Sequence, residues 1–100
     1  MFTIIFPVLN ERLRLESGVT RTVEYLQSIA FEDYEIIIVD NGSEDETPQI
    51  AEKLCKKYDK VKYERINVRG VGAAFRRGVE VSHGDVVGYM DIDLSTNIRH

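Results

Sequence analysis

The chain has 100 residues, a net charge of −4 at pH 7 and a hydrophobic content of 43 %. This length suits a single domain, because one hydrophobic core typically serves about 50–200 residues, and the apolar content is sufficient for such a core. Charges of both signs are mixed along the sequence, without the basic patch that is typical of nucleic-acid-binding proteins. We therefore expect no nucleic-acid partner.

The chain carries one cysteine, Cys55, which cannot form an internal disulfide. This is typical of proteins in a reducing compartment. No apolar run reaches the ~18 residues that a membrane-spanning helix needs, and residues 1–6 lack the charged start and the length of a signal peptide. We expect a cytoplasmic protein without a transmembrane segment in this chain, a prediction that also allows work at a membrane surface.

Four apolar runs predict four strands, separated by three segments with helical periodicity. The strands are expected at residues 2–6, 34–39, 61–66 and 86–90; the second is continuously apolar, the pattern of a strand buried on both faces. The helical stripes are Leu15, Val19, Val23, Leu26 and Ala30; then Ile50, Leu54 and Tyr58; then Val71, Ala74, Phe75 and Val79. This β-α-β-α-β-α-β order predicts an α/β fold with a parallel, Rossmann-like sheet between helices.

Two starting points are open for the second helix. Ser43 followed by Glu46 forms a capping-box pattern, whereas Thr47 followed by Pro48 would place a proline in the first turn. The sequence alone does not choose between them.

Residues that could bind a ligand or take part in a reaction follow each predicted strand. In open α/β sheets, ligands bind beyond the carboxyl ends of the strands, near the point where the strand order reverses. The segments at these ends are 7–11, 40–45, 67–72 and 91–93. Three of them bring an acid and the other brings a glycine-rich turn that enters a helix. All four are expected at one edge of the sheet.

Two interpretations are open both for Asp40 and for the glycine-rich turn. Asp40 could accept the amides of the turn at residues 41–43, or it could accept hydrogen bonds from a base or a ribose hydroxyl. Gly70 and Gly72 open the third helix, where free amides suit an anion such as a pyrophosphate. The small residues within 73–78 could equally serve close packing of the helix on the sheet. The turn matches neither the dinucleotide fingerprint nor a P-loop.

Asp91 and Asp93 form a D-x-D pair at the end of the fourth predicted strand. Residues two apart in an extended chain point the same way, roughly 6.5–7 Å from each other. A turn would bring them close enough to bind one divalent ion, and Mg²⁺ and Mn²⁺ prefer carboxylate and phosphate oxygens. Two solvated acids at a strand end are the alternative. The shared sheet edge with Asp40 and Gly70 favours the metal site.

Four motif-like segments thus occur in order between residues 2 and 94. They are Pro7-x-x-Asn10-Glu11, Val39-Asp40-Asn41-Gly42-Ser43-x-Asp45-x-Thr47, Arg69-Gly70-x-Gly72-x-Ala74-x-x-x-Gly78 and Asp91-x-Asp93. In this order and spacing they resemble the inverting family 2 glycosyltransferases with the GT-A fold. The likeness is closest to the branch that transfers sugars to polyprenyl phosphates such as dolichyl phosphate. It implies a single domain over residues 1–100 that is the N-terminal, nucleotide-sugar-binding portion of such an enzyme.

The resemblance implies nucleotide-binding roles for several matched residues. Pro7 and Glu11 would lie beside the base of a UDP- or GDP-sugar, and Asp40 would contact the base or the ribose. Arg69 and Gly70 would line the nucleotide cleft.

The resemblance also implies a divalent metal cofactor, Mg²⁺ or Mn²⁺. Asp91 would lie near both the ribose and the metal, and Asp93 would coordinate the metal on the pyrophosphate. The ion matters because negative charge grows on the departing nucleoside diphosphate as the sugar–phosphate bond breaks.

The sequence departs from the family pattern after the acid pair. Many polyprenyl-phosphate transferases have a glutamine and two prolines where this chain reads Ser95-Thr96-Asn97, so Ser95 is the nearest substitute for a glutamine that can add a metal contact. Family enzymes also continue into an acceptor half that contains the expected catalytic base. We expect that half to be absent from this chain.

No residue is assigned as a catalytic base. Asp85 starts the fourth predicted strand, at the wrong end of the sheet, His83 belongs with a surface turn, and His100 is terminal. An inverting transfer needs a base near the acceptor hydroxyl, unless the acceptor is already an anion such as a phosphate.

Three functions remain open from the sequence. The first is a glycosyltransferase domain that binds a nucleotide sugar for transfer to an acceptor such as a polyprenyl phosphate. The second is a non-catalytic nucleotide-binding or assembly module. The third, a sugar nucleotidyltransferase, ranks last because such enzymes carry a glycine-rich, basic loop after the first strand, and residues 7–11 contain no glycine. We also expect that the exposed edge of the fourth strand could pair with a second copy of the chain and form a homo-oligomer.

Overall fold

The computed structural model describes residues 1–67, 71–84 and 86–89. In this part, four strands and three helices follow one another in the predicted β-α-β-α-β-α-β order. The strands are β1 (Phe2–Val8), β2 (Tyr34–Asp40), β3 (Val61–Arg65) and β4 (Val86–Tyr89), and the helices are α1 (Leu15–Ser28), α2 (Thr47–Lys57) and α3 (Val71–Val81). Strands β1 and β2 extend beyond their predicted ends, so Pro7 and Asp40 are strand residues rather than the first loop residues.

The four strands form one parallel sheet with the order β3-β2-β1-β4. The chain builds outwards from β1 to β3 and then places β4 on the other side of β1, so the strand order reverses at β1. Val8, Asp40 and Arg65 lie in one row of the register. The carboxyl ends of β1, β2 and β3 therefore share one rim, the part of an open α/β sheet where ligands bind.

Apolar side chains cover both faces of the sheet, because alternate residues of a strand point to opposite sides. All seven residues of β2 are buried, as the continuous apolar run predicts. Helices α1 and α2 pack on one face, in a cluster of Ile4, Phe6, Val8, Leu15, Val19, Val23, Leu26, Tyr34, Ile36, Ile38, Ala51, Leu54 and Val61. Helix α3 packs on the other face, where Ala74 joins Ile5, Ile37 and Val39.

The first two helices end or begin where local backbone geometry dictates. Helix α1 stops at Ser28, and Ala30, the last member of its predicted stripe, lies beyond it at φ 57°. Helix α2 begins at Thr47 with Pro48 in its first turn, which confirms the second of the two starting points. The capping box at Ser43 is wrong, because the Ser43 hydroxyl accepts a hydrogen bond from another loop.

Helix α3 lies closer to the sheet than its apolar stripe predicts. Ala74 is fully buried, whereas Phe75 and Val79 are 39 % and 41 % exposed. Gly78 faces β1 so closely that a Cβ there would lie 2.5 Å from Cδ1 of Ile5. The small residues of this helix therefore serve close packing, and the two larger apolar side chains lie on the outer side.

A buried carboxylate fixes the amino edge of the sheet. Glu35, near the start of β2, is 5 % exposed. It accepts hydrogen bonds from the Thr3 hydroxyl at 2.8 Å and from the backbone amide of His83 at 2.6 Å. The His83 ring remains on the surface, as its predicted place in a surface turn implies. This contact holds the connection between α3 and β4 at the end of the sheet opposite the shared rim.

Strands β3 and β4 are the outer strands among the residues that the structure describes. Pairing of the β4 edge with a second copy stays a prediction. In the same described ranges, no helix has the length and apolar character needed to cross a bilayer.

Candidate functional site

The shared rim brings together the first two sequence segments that were singled out. Pro7 lies in β1, paired with Val39 of β2, and the loop that contains Glu11 follows directly. Asp40 ends β2, and the turn at residues 41–46 leads into α2. Residues far apart in the chain thus meet because parallel strands end at the same edge.

Asp40 is the centre of a hydrogen-bond network. Its carboxylate is fully buried, and Oδ1 accepts the amides of Gly42 at 3.0 Å and Ser43 at 2.7 Å. Gly42 has φ 95°, a conformation that favours glycine. The turn-forming role that was open for Asp40 is therefore observed. Its contact with a nucleotide stays a prediction.

Two side chains of β3 that were not predicted complete this network. Tyr63 donates its hydroxyl to Oδ2 of Asp40 at 2.7 Å, and Arg65 approaches the same oxygen at 3.4 Å through Nη1. Nη2 of Arg65 also donates to the Ser43 carbonyl at 3.0 Å. Burial and the hydrogen bond to Asp40 raise the pKa of Tyr63 to about 12. Polar residues at alternate positions near the end of β3 were the available signal.

The loop after β1 is fastened to the loop after β2. The amide of Asn10 donates to the Ser43 hydroxyl at 2.8 Å, while Oδ1 of Asn10 accepts the amide of Glu44 at 2.8 Å. The amide of Glu11 donates to the Thr47 hydroxyl at 2.9 Å. Asn10 adopts φ 53°, which asparagine tolerates better than most residues. The motif residues of the two loops therefore hold one another.

Asp45 links the same two loops and covers the start of α2. Its carboxylate accepts the amide of Thr47 at 2.8 Å and the amide of Arg12 at 3.3 Å. Desolvation opposes ionisation, but the hydroxyl and amide of Thr47, together with Arg12, outweigh it and lower the pKa of Asp45. Glu46, at the N-cap, accepts no hydrogen bond from the helix amides through its side chain. Asp45 instead accepts the amide of Thr47 in the first helical turn.

Asn41 brings an additional acceptor to the rim. Its amide donates to the Val8 carbonyl at 2.9 Å, which places the residue between the ends of β1 and β2. The residue is 7 % exposed, and its Oδ1 makes no hydrogen bond with the described residues. A buried amide oxygen of this kind is suited to accepting a hydrogen bond.

The sequence pattern of the family described as "Glycosyl transferase family 2" matches residues 3–98 of the chain. The chain belongs to glycosyl transferase family 2. It is 37 % identical over 100 residues to glycosyltransferase AglD of Haloferax volcanii, a match that covers 98 % of this chain and 16 % of that protein. It is 37 % identical over 101 residues to dolichyl-phosphate beta-glucosyltransferase of Mus musculus, covering 94 % of this chain and 31 % of the mouse protein.

Solved structures of other proteins have the same architecture. The mannosyltransferase PcManGT of Pyrobaculum calidifontis, in complex with GDP-Man and Mn²⁺, superposes with a TM-score of 0.81 at 22 % identity, over 92 % of this chain and 27 % of that one. TarS 1–349 of S. aureus, in complex with UDP, gives a TM-score of 0.71 at 27 % identity, again over 92 % and 27 % of the two chains. These likenesses confirm the predicted GT-A fold. The chain spans between a sixth and a third of the length of these four proteins.

Several predicted residues of this family 2 site lie outside the described residues. They are Arg69, Gly70, Asp91 and Asp93. Asp85 and His100 lie outside them as well, and His83 is at the opposite edge of the sheet. Within residues 1–67, 71–84 and 86–89, no group of three or more His, Cys, Asp or Glu side chains could hold a metal ion.

Glu11 is the remaining predicted residue whose side chain is described. Its carboxylate is 26 % exposed and lies 3.9 Å from Nε of Arg14, one turn further along the chain. Its position in the fastened loop leaves it on the rim, next to the turn that Asp40 organises.

Two cavities of the described part are lined by residues other than Asp40 and Glu11, and the second of them includes Ile66, directly after β3. One, of about 250 Å³, lies beside the start of β2 and is lined by Phe31, Tyr34 and Tyr58 with Lys57 and Lys60 among its other residues. The other, of about 180 Å³, lies against α3 beside Arg76 and Arg77. Neither is lined by a residue of the predicted family 2 site.

Proposed function

We propose that this chain is the nucleotide-sugar-binding part of a family 2 glycosyltransferase. It would hold a UDP- or GDP-sugar at the shared rim for transfer to an acceptor such as a polyprenyl phosphate. The observation that carries the proposal is the fastening of the two motif-bearing loops around Asp40, at the carboxyl ends of neighbouring parallel strands. This is the position where open α/β sheets bind nucleotides.

The described residues support the nucleotide-binding part of the proposal. Pro7 and Glu11 would flank the base, and Asp40 with its turn would meet the base or the ribose. Asn41 offers a buried acceptor at the same rim. Arg69 and Gly70, outside the described residues, precede α3 in the sequence and would line the cleft, since backbone amides at a helix start favour a phosphate.

The proposed cofactor is one divalent cation, held by Asp91 and Asp93. These residues follow β4 in the sequence, and β4 pairs with β1, the strand that precedes the loop of Glu11. Carboxylate oxygens suit Mg²⁺ and Mn²⁺, and PcManGT was solved with Mn²⁺ and GDP-Man. When bound, such a cation would stabilise the charge on the departing diphosphate.

The reaction supported best is an inverting sugar transfer. The acceptor oxygen forms a bond to the anomeric carbon as the bond from that carbon to the diphosphate oxygen breaks. A phosphate acceptor already carries its nucleophilic charge, so it needs no protein base to remove a proton. This chemistry suits the polyprenyl phosphates, and dolichyl-phosphate beta-glucosyltransferase is among the relatives.

Titration calorimetry with UDP and GDP, in the presence of Mn²⁺ or of a chelator, tests the proposal. We expect micromolar-to-millimolar nucleotide binding that requires the metal. Asp93→Ala should lower the nucleotide affinity by at least about tenfold, because it removes a carboxylate that would coordinate the ion. Asp59→Ala, in the exposed turn after α2, is the matched control and should bind like the wild type. Equal metal-dependent affinities of Asp93→Ala and the wild type would overturn the site assignment.

A transfer assay separates the enzyme from the non-catalytic module. The assay follows release of UDP or GDP from its sugar conjugate in the presence of a polyprenyl phosphate. Product formation by this chain would rule out a purely non-catalytic function, whereas metal-dependent binding without any transfer would support it.

A further inference from the structure

We propose that Tyr63 and Arg65, at the end of β3, are positioning residues for the donor nucleotide. They hold Asp40 and the Ser43 turn in the arrangement that receives the base and ribose. The inference rests on the proposed function, and it adds two residues within β3 itself to a site whose sequence motifs are expected at or after the ends of the four strands.

Asp40 depends on β3 for the hydrogen bonds of one of its two carboxylate oxygens. A carboxylate with no exposed surface is costly unless its oxygens are hydrogen-bonded and its charge is paired. The turn amides satisfy Oδ1 only. Oδ2 depends on β3, through the Tyr63 hydroxyl at 2.7 Å and the Arg65 guanidinium at 3.4 Å. Without β3, one oxygen of the central carboxylate would lose both of its described partners.

Arg65 links β3 to the loops that follow β1 and β2. One guanidinium group contacts the side chain that ends β2 and the carbonyl of Ser43 in the following turn. The Ser43 hydroxyl in turn accepts the amide of Asn10 in the loop after β1. A continuous series of hydrogen bonds therefore runs from β3 through Ser43 to the loop of Glu11. A planar guanidinium makes two such contacts at fixed geometry, which a lysine ammonium does not reproduce.

Arg65 and Tyr63 also have the exposure and the protonation state that a positioning role requires. The Arg65 side chain is 43 % exposed although it pairs with a fully buried carboxylate. Its charge therefore lies at the surface of the rim where the nucleotide would bind. The Tyr63 phenol is protonated at neutral pH even at the ordinary tyrosine pKa of 10.0, so it can donate to Asp40, and burial and Asp40 raise its pKa further. Both residues therefore act on the group that the proposed function places against the nucleotide.

Calorimetric titration of four variants with UDP or GDP and Mn²⁺ tests the inference. Tyr63→Phe removes the hydroxyl and keeps the ring, and Arg65→Met removes the charge and keeps the length. Each should weaken binding by about tenfold, the effect of one hydrogen bond to a charged group, at a stoichiometry still near one. The matched controls are Tyr58→Phe, at the other end of the sheet, and Arg77→Met, which breaks a surface ion pair with Glu64. Both controls should bind like the wild type.

Two further measurements distinguish positioning from a purely structural role. Arg65→Lys retains the charge without the planar fork, and it should recover only part of the affinity lost in Arg65→Met. The ¹³Cζ resonance of Tyr63, assigned with Tyr63→Phe, should shift when nucleotide and the diamagnetic ion Mg²⁺ are added, because the proposed function places Asp40 in contact with the ligand. A merely structural hydroxyl would leave this resonance in place.

The outcomes separate the inference from the proposed function. If the wild type binds nucleotide and both β3 variants bind equally well, the positioning role is wrong and the proposed function stands. If the wild type binds neither nucleotide with any metal, the proposed function fails and the positioning role fails with it. A lowered stoichiometry with unchanged affinity, in variants whose melting temperatures are also lowered, would indicate partial unfolding and would also contradict positioning.

Discussion

Strand β2 carries a buried carboxylate at each end, and the two are held differently. Glu35 is 5 % exposed and accepts hydrogen bonds from the neighbouring strand and from one amide of the α3–β4 connection. Asp40 is fully buried and accepts hydrogen bonds from its own turn and from two side chains of β3. Burial of an acid therefore does not by itself mark a ligand site. The two ends differ in the donors around the carboxylate: two amides and two side chains bond Asp40, whereas one hydroxyl and one amide bond Glu35, with the His83 ring at 3.5 Å.

The charges beside the two carboxylates differ as well. Asp40 lies beside Arg65, which stays charged over the whole practical pH range. Glu35 lies 3.5 Å from the ring of His83, which is 78 % exposed and pairs with it only when protonated. The carboxyl end is thus built on a permanent ion pair and the amino end on neutral donors. The end with the permanent pair is also the end where the first two family motifs meet.

The largest effect is expected from Asp40→Asn. This substitution keeps the acceptor for the two turn amides but turns an NH₂ group towards Arg65, which leaves the guanidinium without its carboxylate. We expect a loss of about 2–4 kcal/mol in the free energy of unfolding, measured by urea denaturation. Nucleotide affinity should fall in the same variant. A stability equal to that of the wild type would show that the network around Asp40 contributes little to the fold.

A smaller effect is expected from Glu35→Gln at the other end of β2. The Thr3 hydroxyl and the His83 amide both bond Oε2 of Glu35, so the one oxygen of glutamine can accept both, and the loss at pH 7 should be about 1 kcal/mol. Nucleotide affinity should not change, because the site lies at the opposite edge. A loss of affinity comparable to that of Asp40→Asn would break the distinction between the two ends.

The effect of Glu35→Gln should also depend on pH. Burial works against ionisation of Glu35, but hydrogen bonds from the His83 amide, the Thr3 hydroxyl and the His83 ring outweigh it and lower the pKa. The unfolded carboxyl has a pKa near 4.5, so the wild type should hold its advantage above that pH. The advantage should disappear as the pH falls through the lower native pKa. An advantage that persists below both pKa values would contradict this origin.

The order of elements and the position of the rim could be predicted from sequence because both depend on local patterns. The apolar runs and the residues after them place Asp40 and the Glu11 loop at one edge, whatever the strand order. Tyr63 and Arg65 could not be assigned in the same way. Their contact with Asp40 requires β3 to lie next to β2, and strand order is a property of the whole fold.

Side-chain roles that depend on competing partners were also beyond the sequence. The pattern of Ser43 and Glu46 favours a helix cap, but the amide of Asn10 takes the Ser43 hydroxyl instead. The apolar stripe of α3 correctly predicts a buried Ala74, but it also predicts a buried Phe75, which stays on the outer side because Gly78 lets the helix approach Ile5. In both cases the outcome depends on which neighbour comes close enough, and local spacing does not contain that information.

The smallest expected effect concerns the alkaline limit of the carboxyl end. The pKa of Tyr63 is raised from 10.0 to about 12 by burial and then by the hydrogen bond to Asp40. The native state therefore keeps the phenol protonated where the unfolded chain ionises, so the contribution is complete below pH 10 and is lost as the pH rises towards about 12. The stability difference between the wild type and Tyr63→Phe, measured by urea denaturation at each pH, should shrink over this window. In Asp40→Asn the ¹³Cζ titration of Tyr63 should move down but stay above its ordinary value, because burial remains when the carboxylate is gone. A titration that is unchanged in Asp40→Asn would mean that burial alone protects the phenol, and the carboxyl end would then resemble the amino end more than its contacts indicate.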